Sequence, residues 1–354
     1  MSDKPVFKIV VDSEPFILWE GTSVGRSMDQ GGGTFEIRFV DPSRDIIKAF
    51  RPGKSCQVFI DENLLLDGYI DGYTINDGDG HKFMFRGRDR VGDLIDCAAT
   101  VSGPYEFRNQ KLEKVVAAVL KPFGIPLRVA KDVDTGVAFK RLSIMPDETA
   151  FQFIEKACRF RAVLPVSDGI GGLILAKPGA YRSAGKLVYG ENIKRRTVDV
   201  NHQERFSDIV VKGQGAPVDD YSNGKTMAGG KGQTKDAEIT RYRPLVIVAE
   251  KEGYDLSFKQ RAEWEKQNRK AKSAKITITA QGWYAAENEL WQLNTLVPVK
   301  DPVINIDKDM LIKSISFSRG TATGSETEME LAIPEAYDLP AQKESSGDDM
   351  WEGF

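Results

Sequence analysis

The sequence predicts a mainly β chain with an α+β insertion: two small related antiparallel β-barrel domains flanking a central α+β region. Three observations carry this. Short segments that alternate apolar and polar residues, separated by turns rich in Gly, Asp and Asn, fill both ends of the chain. The middle changes period, with apolar residues recurring three and four positions apart. Finally, "GKSCQVFIDENLLLDGYIDGYTINDGDGHKFMFRGRD" and "NTLVPVKDPVINIDKDMLIKSISFSRGTATGSETEMELAIPEA" share one layout, although few residues are identical. Each has a strand, a short acidic turn, a strand opening on aliphatics, a polar glycine turn and a closing strand.

Residues 1–93 are expected to form the first barrel. "TFEIRFV" (Thr34–Val40), "CQVFID" (56–61), "LLLDGYIDGYTIND" (64–77) and "HKFMFRGRD" (81–89) alternate with the period of two that a half-buried strand requires. Residues 31–33, Pro52-Gly53 and residues 77–80 supply turns. Residues 94–189 read as α+β, in one or two small modules. In "NQKLEKVVAAVLKPFGI", Leu112, Val115, Val116, Val119 and Leu120 share one helical face, and Pro122 and Gly124 stop the helix. "PDETAFQFIEKACRFRA" repeats the design with Phe151, Ile154, Ala157 and Cys158. Asp147 is its expected N-cap and Glu148 favours its first turn. A strand pair turning at Asp168-Gly169 follows.

Residues 190–340 return to β as the second barrel, with a mobile Gly- and Lys-rich loop expected at 219–236 and a polar helix at 258–274. Within that helix Glu265 stands four residues before Arg269, a supportive pairing. Strands then run through "KITITAQGW", "LVPVKDPVINID", "MLIKSISFSRG" and "ETEMELAIP". The acidic, small-residue stretch 341–354 reads as a flexible tail, in which Trp351 and Phe354 are candidates for docking a partner.

At 354 residues the chain exceeds one ordinary core, so two to four domains are expected. No apolar run approaches the ~20 residues that cross a bilayer, and "MSDKPVFKIVVDSEPFILWEG" lacks the basic and apolar regions of a signal peptide. Cys56, Cys97 and Cys158, odd in number and far apart, make neither a disulfide framework nor a zinc site, and fit a reducing compartment. A formal charge of −3 argues against a tight, sequence-independent grip on nucleic acid.

The chemistry-bearing motifs are near misses. "GTSVG" matches a nucleophile elbow around Ser23, but "RSMDQGGG" follows where a helix is needed, and Val24 and Met28 face one way as in a strand. "KAFRPGKS" (48–55) and "DDYSNGKT" (219–226) end like phosphate-binding loops. Each lacks the leading Gly, replaced by Lys48 and Asp219, and neither opens an apolar helix. The two histidines, His81 and His202, sit in polar surroundings without metal-ligand spacing. Nothing selects one acid pair from 52 carboxylates. The basic helix carries interleaved Glu263 and Glu265 and only Trp264 to stack on a base, so a solvated helix is the better reading. No catalytic, cofactor-binding or metal-binding residue is assigned, no cofactor is expected, and the chain is not read as an enzyme.

"QGWYAAENELWQLNTLVP" places Trp283 and Trp291 around a turn, and barrel packing explains them better than a ligand wall; with Trp264 they are the candidates for barrel packing or for a face toward a neighbouring subunit. The longer stretch "RAEWEKQNRKAKSAKITITAQGWYAAENELWQLNTLVPVKD" resembles a segment of the baseplate hub proteins of Mu-type contractile-tailed phages. The shared pattern is a Trp-bearing polar helix (Trp264), a strand ending Gly282-Trp283, a short turn, Leu290-Trp291 and a strand. "PDETAFQFIEKACRFRAVLPVSDGIGGLILAKPG" is similar to a helix-plus-hairpin element of phage hubs and, more distantly, of type VI secretion spike proteins. The "GKSCQVFID" and "LLLDGYID" segments resemble the family's first barrel, so the likeness runs from about residue 5 to 338. Where the family carries Gly between the two tryptophans, Glu287-Asn288-Glu289 stands here, and Asn288 can take the left-handed conformation.

The resemblance implies a structural baseplate hub in the virion tail, assembled in the host cytoplasm and not inserted in a membrane. Its subunits form a homotrimer, each giving two barrels to a ring of pseudo-sixfold symmetry. Such a ring joins the hexameric tail tube to the trimeric membrane-piercing spike and contacts other baseplate proteins. DNA passes through its lumen at ejection without specific binding. Two other readings stand beside it: a tail-associated cell-envelope hydrolase using an unrecognised carboxylate pair, and the hub part of a type VI secretion-like spike.

Overall fold

The computed structural model describes residues 6–17, 20–40, 44–76, 82–179, 181–213, 231–249, 258–320 and 323–337. Period-two segments at the start become β1 (Phe7–Val11), β2 (Glu14–Phe16), β3 (Gly21–Ser27), β4 (Thr34–Val40), β5 (Ser55–Ile60), β6 (Asn63–Asn76) and β7 (Lys82–Asp89). A short helix that the sequence reading did not expect, α1 (Arg44–Ala49), sits between β4 and β5. The middle region holds α2 (Gly92–Asp96), β8 (Glu106–Gln110), α3 (Leu112–Leu120), β9 (Leu127–Val129) and β10 (Phe139–Ser143). It ends with α4 (Ala150–Arg159), β11 (Leu164–Ser167) and β12 (Leu173–Ala176). Next come β13 (Tyr181–Arg182), β14 (Leu187–Val188), β15 (Ile193–Val200), β16 (Asp208–Gly213), β17 (Lys231–Lys235), β18 (Pro244–Ala249) and α5 (Phe258–Lys272). The last strands are β19 (Ala274–Gln281), β20 (Tyr284–Ala286), β21 (Glu289–Leu290), β22 (Thr295–Asp301), β23 (Ile306–Gly320) and β24 (Gly324–Ala332).

The chain is mainly β, but its two β regions are not two closed barrels. Fourteen strands form one sheet whose path runs β15-β19-β24-β23-β3-β4-β7-β6-β5-β1-β2, with β22 on β23 and with β13 and β14 on β22; no sheet among the described residues closes on itself. The reason lies in β23. Its first half pairs with β22 along one flank, and the continuation of that flank, Ser314–Gly320, is taken by β3 from the other end of the chain. The sheet therefore runs on into the other β region. A single hydrophobic core follows: Ile9, Ile37, Val58 and Phe85 from the first region and Ile278, Val297, Ile312 and Leu331 from the last belong to one cluster.

Inside this sheet the layout seen twice in the sequence appears as a repeat of topology. The antiparallel order β3-β4-β7-β6-β5 is matched by β15-β19-β24-β23-β22. The long members, β6 and β23, span 14 and 15 residues and share a further irregularity. Each has a register shift near its middle, between Ile70 and Gly72 and between Ile312 and Ser314, the mark of a bulge that bends a strand.

The middle region packs on its own core. Val115, Val116 and Val119 of α3 meet Phe153, Ile154 and Ala157 of α4. On α4 the buried stripe is Ala150, Phe153, Ile154, Ala157 and Cys158, with Phe151 only half-buried. Its N-cap is Thr149, not Asp147. Thr149 has extended backbone, its hydroxyl accepts from Gln152 N, and the Gln152 side chain returns a bond to Thr149 N, a reciprocal capping box. Gly124, at φ 65, closes the first helix as expected. Asp168 builds the β11–β12 turn by accepting from Ile170 N and Gly172 N.

Two further differences concern the region 190–340. Residues 231–235, placed in the mobile loop by the sequence, form β17 against β16; residues 219–230 of that loop lie outside the described residues. With β18 and α5 these strands make a separate small layer around Ile209, Val211 and Ala262. Helix α5 ends at Lys272 instead of 274.

Candidate functional site

Ser23 sits in mid-strand, opposite Glu36 on β4 and Ser318 on β23. A nucleophile elbow needs a free strand-to-helix turn, so this serine is a sheet residue. The segment 48–55 runs from α1 through a turn at Gly53 into β5. That is helix, turn, strand, the reverse of the order a phosphate-binding loop requires. His202 Nε2 lies 3.3 Å from the Arg205 guanidinium. His81 and residues 219–226 lie outside the described residues, as do Trp351 and Phe354 of the tail. Among the described residues no group of three or more His, Cys, Asp or Glu side chains is arranged to hold a metal ion.

The buried carboxylates serve as ties between elements. Asp89 accepts from Gly33 N at 2.7 Å, Val91 N at 3.1 Å and Ser167 Oγ at 2.5 Å, fastening the end of β7 to β11 of the middle region. Burial pushes its carboxyl above the usual carboxylate range, opposed by the bonds from Ser167 and Gly33. Asp301, fully buried, pairs with Arg196 at 3.0 Å and accepts from Val303 N. Glu326 receives Lys194 and, at 2.6 Å, Arg195. On the small layer, buried Arg205 binds Asp236 and Glu238 at 2.7 Å each, and Lys270 of α5 closes on the same Glu238.

The two central tryptophans occupy the shared core. Trp283 is 0% exposed and Trp291 2%, and a backbone bond of 3.2 Å joins them. The Trp283 indole donates to the carbonyl of Ser318 on β23 at 2.9 Å and packs 6.2 Å from the Phe7 ring on β1. Both indoles are thus enclosed within one chain and leave no surface for a neighbouring subunit. Trp264 is half-buried on α5, with the Arg261 guanidinium 4.4 Å from its ring centre. Asn288, in the turn between β20 and β21, has φ 59, the left-handed conformation that stands in for a glycine.

What the sequence reading missed lies on two strand edges. β5 covers β6 only as far as Tyr69, and among the described residues no strand pairs with that flank of β6 beyond it. Among the described residues β15 ends the sheet, laddered to β19 alone, with a single isolated bridge from its first residue, Ile193, to Tyr189. Both edges carry exposed apolar side chains: Tyr73 at 42% and Ile75 at 44% on β6, Val198 at 36% and Val200 at 60% on β15. Free edges of monomeric proteins are usually blunted by charge or proline. Here "YTI" and "VDV" put apolar residues at alternate positions of otherwise polar strand ends, which was the available signal.

A mainly antiparallel chain with a duplicated strand unit and an inserted helical module is the fold of phage tail proteins. The crystal structure of a 43 kDa tail protein of prophage MuSo2 from Shewanella oneidensis matches with a TM-score of 0.81 and 29% identity, covering 94% of this chain and 99% of that one. A type VI secretion system component of E. coli, described as structurally similar to T4 bacteriophage tail proteins gp27 and gp5, shares the fold at 11% identity. Its TM-score is 0.55, covering 95% and 79% of the two chains. Three family models match in succession: the N-terminal domain of Mu phage baseplate assembly protein GpP-like proteins over residues 7–89, the second domain of gp44-like baseplate hub proteins over 91–177, and the fourth domain of Mu phage baseplate assembly protein GpP over 256–340. Baseplate hub protein gp44 of Escherichia phage Mu is 30% identical over 340 residues, 94% of this chain and 89% of that protein. The chain belongs to the Mu-type phage baseplate hub protein family, and its role is that of a structural protein of the tail baseplate.

Proposed function

We propose that three copies of this chain form a ring of pseudo-sixfold symmetry that joins a hexameric tail tube to a trimeric membrane-piercing spike, around a channel through which DNA leaves the particle. One observation carries the reading: each chain holds two units of the same strand topology, joined edge to edge in one sheet. A protein with two near-equivalent units presents six of them when three copies assemble about an axis, which lets one face match a threefold partner and the other a sixfold one. The division 1–93, 94–189 and 190–340 belongs to this reading, with the outer two segments supplying the units and the middle one standing off them. The tail 341–354, through Trp351 and Phe354, is assigned to docking a partner, the spike or the tube.

Light scattering on the purified protein is expected to return three chain masses alone, and three chain masses plus that of the spike trimer when mixed with its spike. Class averages of single particles viewed down the axis are expected to show six lobes around a hole. A chain that stays monomeric at high concentration both alone and with the spike overturns the ring. A trimer whose axial view has three lobes and no hole overturns the pseudo-sixfold arrangement and the channel.

A further inference from the structure

We infer that the outer face of the small layer β16-β17-β18 is the seat of an amphipathic helix from a partner protein, with an aliphatic stripe over three valines and carboxylates over two lysines. The inference goes beyond the ring reading and does not depend on the number of copies. It starts from "PLVIVA", an unbroken apolar run over the whole of β18. A strand with one face in water alternates, whereas a run without polar breaks marks a strand buried on both faces, the usual condition of parallel pairs. β18 lies parallel to β16 along its full length, from Pro244 beside Asp208 to Ala249 beside Gly213.

Among the described residues only one of the two faces is covered. Ile209 and Val211 of β16, with Leu245 and Ile247 of β18, turn toward α5 and pack with Ala262 and Phe258. A Cβ on Gly232 of β17 would stand 2.1 Å from the Phe258 backbone, and Thr234 Oγ1 donates to Glu263, so α5 lies tight across all three strands. The alternate residues point the opposite way. The pairing registers set them in three rows: Lys235, Asp208 and Pro244; Gln233, Val210 and Val246; Lys231, Lys212 and Val248. Val246 and Val248 are 54% and 53% exposed, against 1% and 0% for Ile209 and Val211 on the covered face.

Charge and width define what fits. Lys235 pairs with Asp208 at 3.4 Å. Lys212 and Lys231 stand directly opposite each other on neighbouring strands, both exposed and neither in an ion pair among the described residues. Like charges in that position repel, and a carboxylate set over them turns the repulsion into attraction. Beside them Val210, Val246 and Val248 form an apolar strip. Three strands ~4.8 Å apart make a floor about 10 Å wide, the diameter of one α-helix, and α5 covers the reverse of the same floor. A helix with apolar residues at i, i+3, i+4 and i+7, flanked on one side by Asp or Glu, matches both features.

The test pans the immobilised full-length chain against a displayed peptide library of two arms. One arm has leucines at helical spacing, the other has valines at alternate positions, and every remaining position is randomised. Helical clones rich in Asp and Glu beside the stripe are expected to enrich. They should bind Val246→Lys and Lys212→Glu at least about tenfold more weakly than the wild type, and give way to Lys-rich clones on a chain carrying Lys212→Glu with Lys231→Glu. These positions are exposed, so the circular dichroism of the variants is expected to match the wild type. Val246→Cys in a Cys97→Ser background is expected to react with a thiol reagent in the native chain; protection there means that the chain covers this face itself and overturns the inference. No enrichment, or clones that bind the variants as well as the wild type, overturns it too. Enrichment of the alternating arm alone replaces the helix by a strand added to the edge of β18 and overturns the helix. In light scattering Val246→Lys is expected to keep the mass of the wild type; a lower mass gives the face to a second copy and overturns the partner helix. A monomeric wild type that still selects acidic helices overturns the ring and leaves this face standing.

Discussion

Replacing Trp283 with alanine removes an indole that touches both β regions at once. Its ring lies against Phe7 of β1, its Nε1 holds the Ser318 carbonyl of β23, and none of it reaches solvent. Burying an indole removes ~200 Å² of apolar surface from water, which at ~25 cal/mol per Å² gives an upper limit of about 5 kcal/mol. Aromatic-to-alanine substitutions in packed cores cost ~3–5 kcal/mol, and leaving the Ser318 carbonyl without its donor adds about 1 kcal/mol. Trp283→Ala is therefore expected to destabilise by ~4 kcal/mol, and Trp283→Phe, which keeps a ring beside Phe7, by ~1–2 kcal/mol. Native-state hydrogen exchange is the suitable assay because it reports region by region. Amides of β1, β5 and β7 and those of β19, β23 and β24 should accelerate together, by at least about a hundredfold in the alanine variant. Acceleration confined to β19–β24 would refute the shared core, and equal costs for alanine and phenylalanine would show that the hydrogen bond, not the packing, dominates.

Other perturbations have equally definite outcomes. Thr149→Ala should cost ~1 kcal/mol in urea unfolding by removing the capping box, whereas Asp147→Ala should cost less than about half of that. Burial pushes the Cys56 thiol up to about 12 and raises Cys158 further, while Cys97 is exposed. A colorimetric thiol reagent at neutral pH should then label one cysteine in the native chain and three after unfolding. The bonds from Lys270 and Arg205 hold the Glu238 carboxyl down to about 2 from 4.5. A carboxylate whose folded pKa is depressed contributes stability that is complete above about 4.5 and is lost as the pH falls through about 2. A carboxyl titration by NMR should place that midpoint near 2 in the wild type and higher in Lys270→Met.

The strands were legible because their alternation is strict: "TFEIRFV" and "KFMFRGRD" bury every second residue as written. The duplicated layout was legible too, since it rests on turn chemistry and strand length. Closure was not. Alternation states which face of a strand is buried and says nothing about which strand lies beside it, so the pairing of β3 with β23, from opposite ends of the chain, had no local signature. β17, "KGQTK", has no apolar residue and is a strand only because β16 offers it a ladder. The cap of α4 was readable and misjudged: Thr149 followed three residues later by Gln152 is the stronger signature than Asp147 alone. The exposed edge residues on β6 and β15 were visible as letters, but their meaning needed the topology, because only a sheet has an edge.

β23 is one uninterrupted strand of 15 residues, bonded to β24 along one flank and to β22 and then β3 along the other. A tug along its axis loads all these ladders side by side, so they resist as a bundle and yield as one, unlike a hairpin that peels open rung by rung. The halves of the molecule are therefore coupled without a hinge, and torque applied to one is delivered to the other through the backbone itself.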